Sequence, residues 1–411
     1  MNDKKYFSPL FFTIFNDGLG YGIVLTIFPP MLLHPEFPLV PPGTSLPHRI
    51  ILIGLLLSIY GLGQTIFSPL LGAISDRVGR KKVFLSTLWI SAFGNAVSVF
   101  AIMSFSIPLL FISRFITGCS SANLPLAQAG ISDISTDDMR SKNIGKIGIM
   151  GGVSWLLGPP IGGLLALPKF FPWFNFIFPL GLVSFFFVIN ALAVHKNYFE
   201  KKNKNSDESL GIKEEIKGFR ICWNQNVIRN LLIIFFFYVL GRLLFLQFYP
   251  SVLVEKYGLS QLSLGLYSST IAIFFMLGSY VYMRYLSKKD NVEKVLISAF
   301  ILAGIFIGLS SYYPSPYLFF ITFLVAGSGS AISWIHIVRQ LSKSIGKEKQ
   351  GMIFGVQQSF TSFCIFISPL IAGFMGAKNL AFPLITSGLI LIFAGILYYL
   401  LVLRREANSK V

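Results

Sequence analysis

The sequence predicts an all-α membrane protein of twelve transmembrane helices, arranged as two pseudo-symmetric six-helix bundles. Three observations predict it. Of 411 residues, 54% are apolar and only 12% charged, whereas a soluble domain carries roughly a quarter charged residues. Apolar runs of about 20 residues, the length that crosses a bilayer core, recur along the whole chain. Six of these runs precede one long hydrophilic stretch and six follow it.

The first six spans fall at 6–33, 50–74, 83–104, 107–131, 144–167 and 171–195, giving a first domain of residues 1–195. The start of the first, Asn2-Asp3-Lys4-Lys5, resembles that of a signal peptide. Its apolar run is too long and lacks a small-residue cleavage site, so a retained helix is expected. A cytoplasmic central loop covers 196–224, where Ile212, Ile216 and Phe219 recur at helical spacing and predict a short surface helix. The second domain, 225–411, holds spans at 225–250, 262–286, 293–312, 315–338, 351–375 and 379–403. Gly and Pro interrupt several spans, which membrane helices tolerate better than soluble ones.

The formal charge of +17 raises nucleic acid as a partner, and its distribution argues against one. The N-terminus, the even-to-odd connections and the C-terminal tail hold 27 of the 34 Lys and Arg residues; the opposite side holds only Arg49, Lys169, Lys256 and Lys378. This is the positive-inside bias, with both termini cytoplasmic and the chain in the inner membrane. No basic patch on a folded domain is left for nucleic acid. Cys119, Cys222 and Cys364 form neither a disulfide framework nor a metal spacing.

The chain also repeats itself. At a constant offset of 210 residues, Gly145 matches Gly355, Pro159 matches Pro369, Ile161 matches Ile371 and Gly163 matches Gly373. The matches fall in the fifth helix of each half, as expected for parallel duplicated halves of a transporter.

The connection after the second span reads Gly72-Ala73-Ile74-Ser75-Asp76-Arg77-Val78-Gly79-Arg80-Lys81-Lys82. It resembles the signature loop of the major facilitator superfamily. A basic loop alone explains Arg80, Lys81 and Lys82 but not Gly72, Asp76 or Gly79 at these spacings. Span 4 matches the family's pattern with Arg114 and Gly118. Span 5 resembles the pattern of its exporters in Gly145, Ser154, Gly158, Pro159, Gly162 and Gly163, with Ser154 standing where Gly is usual. Span 1, from Asn16 to Gly22, is similar to tetracycline/proton antiporters. The resemblance implies a loop that latches the two halves. Gly72 would permit a close approach, Asp76 would face the start of helix 11, and Arg77 and Arg80 would pair with Asp133. It also implies a face of Gly158, Gly162 and Gly163 against the other half. The corresponding loop of the second half keeps Gly278, Arg284, Lys288 and Lys289 but no Asp-Arg pair, so its latch is expected to be weaker.

Ionisable residues within the bilayer are costly and therefore candidates for function. Asp17, Arg114 and Arg242 are the candidates for proton coupling. With a 1.5 Å rise per residue, Asp17 lies about 17 Å from the inner edge of its span and Arg114 about 10 Å from the outer edge. In a core roughly 30 Å thick these are similar heights, and Arg242 is comparable or slightly further out. A lone carboxylate there favours its neutral form, and a neighbouring Arg114 or Arg242 favours ionisation. A static Asp17–Arg114 pair that only pins span 1 to span 4 stays open.

Helices 1, 4, 7 and 10 line the central cavity in the superfamily. Asn16, Asn123, Gln128, Gln247, Tyr249 and Trp334, with Gln357 and Gln358 of span 11, are the candidates to line it. Amides among aromatics suit a mid-sized amphipathic molecule, although most of the 42 phenylalanines must serve packing. His336 is expected to be interfacial.

These readings converge on a secondary transporter working as a monomer, a proton-coupled antiporter that exports a drug or metabolite. It would use the proton gradient and no cofactor or metal, with the lipid bilayer, protons and a small-molecule substrate as partners. Import or facilitated passage of a nutrient or siderophore remains open, as does a transport-dead sensor. No His/Cys/Asp/Glu cluster supports an enzyme, and no Gly-x4-Gly-Lys-Ser/Thr loop supports a built-in pump.

Overall fold

The computed structural model describes residues 4–34, 37, 39–134, 137–169, 175–198, 212–287, 292–346 and 350–403. Among these residues there is no β-strand, and twelve helices are long and apolar enough to cross a membrane. In chain order they are α1 (Lys4–Leu33), α2 (Leu46–Val78), α3 (Arg80–Met103), α4 (Ile107–Cys119) with α5 (Asn123–Ile134), α6 (Asp137–Leu165) and α7 (Ile177–Asn197). The short α8 (Ile212–Asn224) follows in the central loop, as its spacing predicts. Then come α9 (Asn226–Tyr257), α10 (Gln261–Val281), α11 (Val292–Ser310), α12 (Phe319–Lys343), α13 (Gln350–Lys378) and α14 (Ala381–Tyr398).

The α3 helix shows why such sequences suit lipid. Its buried side carries Ser91, Gly94, Asn95 and Ser98, while Trp89, Phe93, Phe100 and Met103 are exposed. Large apolar groups face outward and small polar ones inward, so helices approach closely and exchange hydrogen bonds. Ser91 Oγ lies 2.8 Å from Ser120 Oγ, and Ser98 donates to Ser113 at 2.8 Å. Together these bonds zip α3 to the fourth span.

Two expectations about local structure need correction. The fourth span is not one helix: it breaks between Cys119 and Asn123. Ser120 and Ser121 turn their hydroxyls back onto the carbonyls of Thr117 and Gly118, competing with the helical ladder. Pro125 lacks an N–H and would clash with the carbonyl four residues before it. Conversely, the expected loop after span 2 is mostly helix, because α2 continues through Arg77 to Val78. A single residue, Gly79, makes the corner at φ 106°, where glycine is favoured.

The chain forms two compact units. The first comprises Met1–Thr44, Ile59–Lys213 and Leu259–Ser269; the second comprises Ser45–Ser58, Glu214–Gly258 and Thr270–Val411. The start of α2 thus clusters with the second unit and the start of α10 with the first. Helix pairing repeats between the halves. In the first, α1 packs on α6 and α7, and α3 on α4 and α7. In the second, α9 packs on α13 and α14, and α11 on α12 and α14. These are corresponding pairs of the duplicated six-helix bundle.

Candidate functional site

In the first unit a polar seam runs through the helices around Asp17. Asn123, the first residue of α5, donates from Nδ2 to Asp17 Oδ1 at 3.2 Å and to Ser91 Oγ at 3.2 Å. Ser91 continues to Ser120, which donates to the carbonyl of Thr117 at 2.9 Å. The break before α5 therefore sets Asn123 where it reaches both α1 and α3. Tyr60 of α2 has Asp17, Tyr21 and Arg114 as electrostatic neighbours. Its ring packs 5.9 Å from Tyr21, which lies 5.5 Å from Trp155.

The expected arginine partner of Asp17 is replaced by this amide. Arg114 is buried with its guanidinium over Phe28, 5.6 Å from the ring centre, and its Nε has no hydrogen-bond partner among the described residues. Asn16, beside Asp17, is fully buried, and both polar atoms of its amide lack a partner among the described residues. Gln128 is exposed on α5.

The small residues of α6 do two jobs. A Cβ added at Gly158 would stand 2.9 Å from the Leu19 carbonyl oxygen, and one at Gly162 would stand 3.0 Å from Ile23 Cα. These two glycines receive α1, which corrects the expectation that they face the other half. Gly158 and Gly162 are four apart and share one helix face, whereas Gly163 lies about 100° further round. Gly163 meets the start of α10, where a Cβ would lie 2.9 Å from Leu262 Cα, and Gly265 of α10 packs in turn on Pro159. The repeated residues do the same in the second unit: Gly54 of α2 packs on Pro369 and Gly373 of α13. Ser154 also has its account. It lies against Gly18, which leaves room for its hydroxyl, and that hydroxyl donates to the Gly151 carbonyl at 2.7 Å. Gly145 lies within α6.

Around the signature segment, a Cβ at Gly72 would meet nothing within 4 Å. Arg77 is exposed, Arg80 half-buried, and Lys81 donates to the carbonyl of His195 at 2.8 Å, capping the end of α7. The side chains of Asp76 and Asp133 lie outside the described residues.

In the second unit Gln247 accepts from Ser368 at 2.9 Å, joining α9 to α13. Tyr249 is buried against Phe245 and Phe323, each 5.3 Å away, so it packs within the bundle. Gln357 is buried, its Oε1 without a partner among the described residues, and Gln358 is half-buried. Arg242 lies over Phe275 and Trp334, 5.6 and 5.9 Å from their ring centres. His336 is buried within the protein: Nδ1 is 3.1 Å from Tyr282 Oη and Nε2 is 3.2 Å from Tyr398 Oη.

The sequence profile of the Major Facilitator Superfamily matches residues 10–291 and 231–411. The chain belongs to this superfamily. It is an integral, multi-pass membrane transporter, with the bilayer and a small-molecule substrate as partners; the superfamily is one of transporters, not enzymes. Tetracycline resistance protein class G of Vibrio anguillarum is 26% identical over 373 residues, 86% of each chain. Quinolone resistance protein NorA of Staphylococcus aureus (strain MSSA476) is 26% identical over 389 residues, 93% of this chain and 92% of its own. Among solved structures, the POT family transporter PepTSo superposes with TM-score 0.74 at 12% identity, over 99% of both chains. A D-xylose–proton symporter superposes with TM-score 0.71 at 14% identity, over 96% of this chain and 97% of its own. These two likenesses bear on the fold alone.

For a facilitator-superfamily chain, sequence reasoning located Asp17, Arg114 and Asn123 but missed Tyr60, Ser91 and Ser120. A signal for Ser91 existed. Ser91, Asn95 and Ser98 recur at helical spacing in an apolar span, and a polar stripe there seeks partners on a neighbouring helix. The His336–tyrosine cluster had none, since Tyr282 and Tyr398 are remote in sequence.

Proposed function

We propose that this transporter is a proton-coupled antiporter of the inner membrane, with cytoplasmic termini, that exports a small amphipathic organic compound. It draws on the proton gradient without a cofactor, works as a monomer and binds no nucleic acid. The observation that carries this reading is the bond between Asp17 and Asn123, an acid within a membrane span held by a neutral amide. Nδ2 of Asn123 donates to the carboxylate, while its Oδ1 is buried and accepts no hydrogen bond among the described residues. Protonated, Asp17 becomes a donor; turning the amide by half a revolution offers it Oδ1 as acceptor. The hydroxyls of Ser91 and Ser120 rotate to suit either orientation. Asp17 thereby has a hydrogen-bond partner in either protonation state, which a fixed ion pair does not allow. Arg114 lies over Phe28 and neighbours Tyr60, which also neighbours Asp17. The Gly72–Lys82 segment acts as the latch between the halves, and the α6 motif favours export.

The relatives named for tetracycline and quinolone resistance support a drug-like substrate, and both compound types are mid-sized, ring-rich molecules. Everted vesicles given an imposed, acid-inside gradient test the direction with tetracycline and norfloxacin as probes. Accumulation in the vesicles is the expected result. Accumulation by intact cells and none by vesicles would make the chain an importer.

A further inference from the structure

The short helix α8 presents three distinct faces, and the transport chemistry uses none of them. One face docks on its own unit: Cys222 is buried, and a Cβ added at Gly218 would stand 2.7 Å from Met352 Cγ of α13. About 100° further round, an aromatic pair stands outward. Phe219 and Trp223, four residues apart, stack with ring centres 5.5 Å apart and planes 14° off parallel, yet both are exposed. Phe219 also lies 5.9 Å from Phe360 of α13, which fixes the pair to the unit. Val227, at the start of α9, is exposed as well, so the apolar ridge runs on into a helix long and apolar enough to cross the membrane. An exposed aromatic ridge where a chain enters lipid belongs at the headgroup level, where such rings concentrate. The third face is basic. Arg220 is exposed beside Phe219, and the sequence has Lys213 and Lys217 seven and three residues before it. Those three positions fall within about 60° of one another on the helix, and the positions of Glu214 and Glu215 lie about 60° or more outside that arc.

We infer that α8 is a docking surface for anionic phospholipid, with Phe219 and Trp223 seated in the headgroup region beside the basic arc of Lys213, Lys217 and Arg220. Charge complementarity selects the occupant. A zwitterionic headgroup brings the arc an ammonium together with its phosphate, whereas phosphatidylglycerol brings the phosphate alone. Lys and Arg close to a membrane surface attract such lipids, and the apolar stripe of an amphipathic helix adds a seat in the headgroup–acyl boundary. An occupant here holds α8 and, through Met352 and Phe360, braces α13. The inference is independent of what the chain transports and in which direction.

Quenching of tryptophan emission by brominated lipids tests this on the full-length protein in phosphatidylcholine vesicles. The Trp223 signal is the difference between wild type and Trp223→Phe. At equal, small mole fractions, brominated phosphatidylglycerol is expected to quench it at least about threefold more than brominated phosphatidylcholine, a ratio that salt should shrink. In the Lys213→Gln/Lys217→Gln/Arg220→Gln variant the two lipids should quench equally, the aromatic seat being retained. Equal quenching in wild type, quenching by neither lipid, or a preference that survives in a monodisperse triple variant would overturn the proposal. Inorganic phosphate, added at constant ionic strength, is expected to leave the ratio unchanged. Loss of the ratio would make the arc a site for free phosphate and overturn the lipid assignment. Quenching that changes with protein density at fixed lipid composition would overturn it too, in favour of a second copy of the chain. A readout that leaves Trp223 in place is the thermal unfolding midpoint, since a ligand of the folded state raises it. Phosphatidylglycerol should raise the midpoint of wild type more than that of the triple variant, and an equal rise in both would contradict the assignment.

Discussion

Asn123 reaches across from α5 to Asp17 of α1 with its amide nitrogen 3.2 Å from the carboxylate oxygen. The acid is thereby tied to the helix that begins after the break in the fourth span, and through Ser91 to α3. A hydrogen bond to a charged group contributes about 1.5–3 kcal/mol, more than one between neutral groups. Whatever moves α5 relative to α1 therefore changes which state of Asp17 is preferred.

Replacing Asn123 by Ala removes that donor. Gradient-driven tetracycline accumulation is expected to fall about tenfold or more, the rate equivalent of about 1.4 kcal/mol. Unaltered accumulation, with normal expression, would show that the amide plays no part in coupling.

Gly18 and Ser154 form a size-matched pair. A Cβ at Gly18 collides with the Ser154 side chain, and overpacking of this kind costs about 1–3 kcal/mol. Gly18→Ala should lower the thermal unfolding midpoint of the purified protein, and adding Ser154→Gly should restore most of it. If the double variant is no more stable than Gly18→Ala alone, the two residues do not share one space.

The duplicated contacts predict duplicated consequences. Gly54 meets Pro369 and Gly373, and Gly265 meets Pro159, each through backbone atoms that cannot swing aside. Gly54→Val and Gly265→Val are each expected to cost about 1–3 kcal/mol of stability. Gly72→Ala, with nothing within 4 Å of the added carbon, should stay within about 0.5 kcal/mol of wild type. Thermal unfolding of the three variants ranks them, and a large loss at Gly72 would contradict the packing described.

Asp76→Asn tests the latch. Turnover in reconstituted vesicles is expected to slow, with tetracycline binding by the purified protein unchanged. Turnover equal to wild type would remove the latch from the mechanism.

Hydropathy and charge bias made the twelve spans legible, because lipid demands long apolar helices with every backbone group paired internally. The repeat of Pro159 and Gly163 in Pro369 and Gly373 pointed to a duplicated packing site, and the structure places an α2 or α10 segment on each. Other features were hidden by competing local signals. Asp76 and Arg77 read as a loop because they are charged, yet α2 carries them as helix up to Gly79. The fourth span read as continuous because Ser120 and Ser121 are compatible with a membrane helix until Pro125 is considered. Arg114 and Arg242 were natural partners for Asp17 by depth alone. Depth says nothing of rotation about a helix axis, and rotation gave Arg114 to Phe28, Arg242 to Phe275 and Trp334, and Asp17 to Asn123.

The proton-coupling role of Asp17 is tested most directly in proteoliposomes that carry a pH-sensitive dye inside. A tetracycline gradient should drive proton movement, and an imposed pH gradient should drive tetracycline accumulation. In Asp17→Asn both are expected to vanish, while insertion, tetracycline binding and tetracycline exchange across the membrane at equal pH persist. Full gradient-driven accumulation by Asp17→Asn would contradict the account.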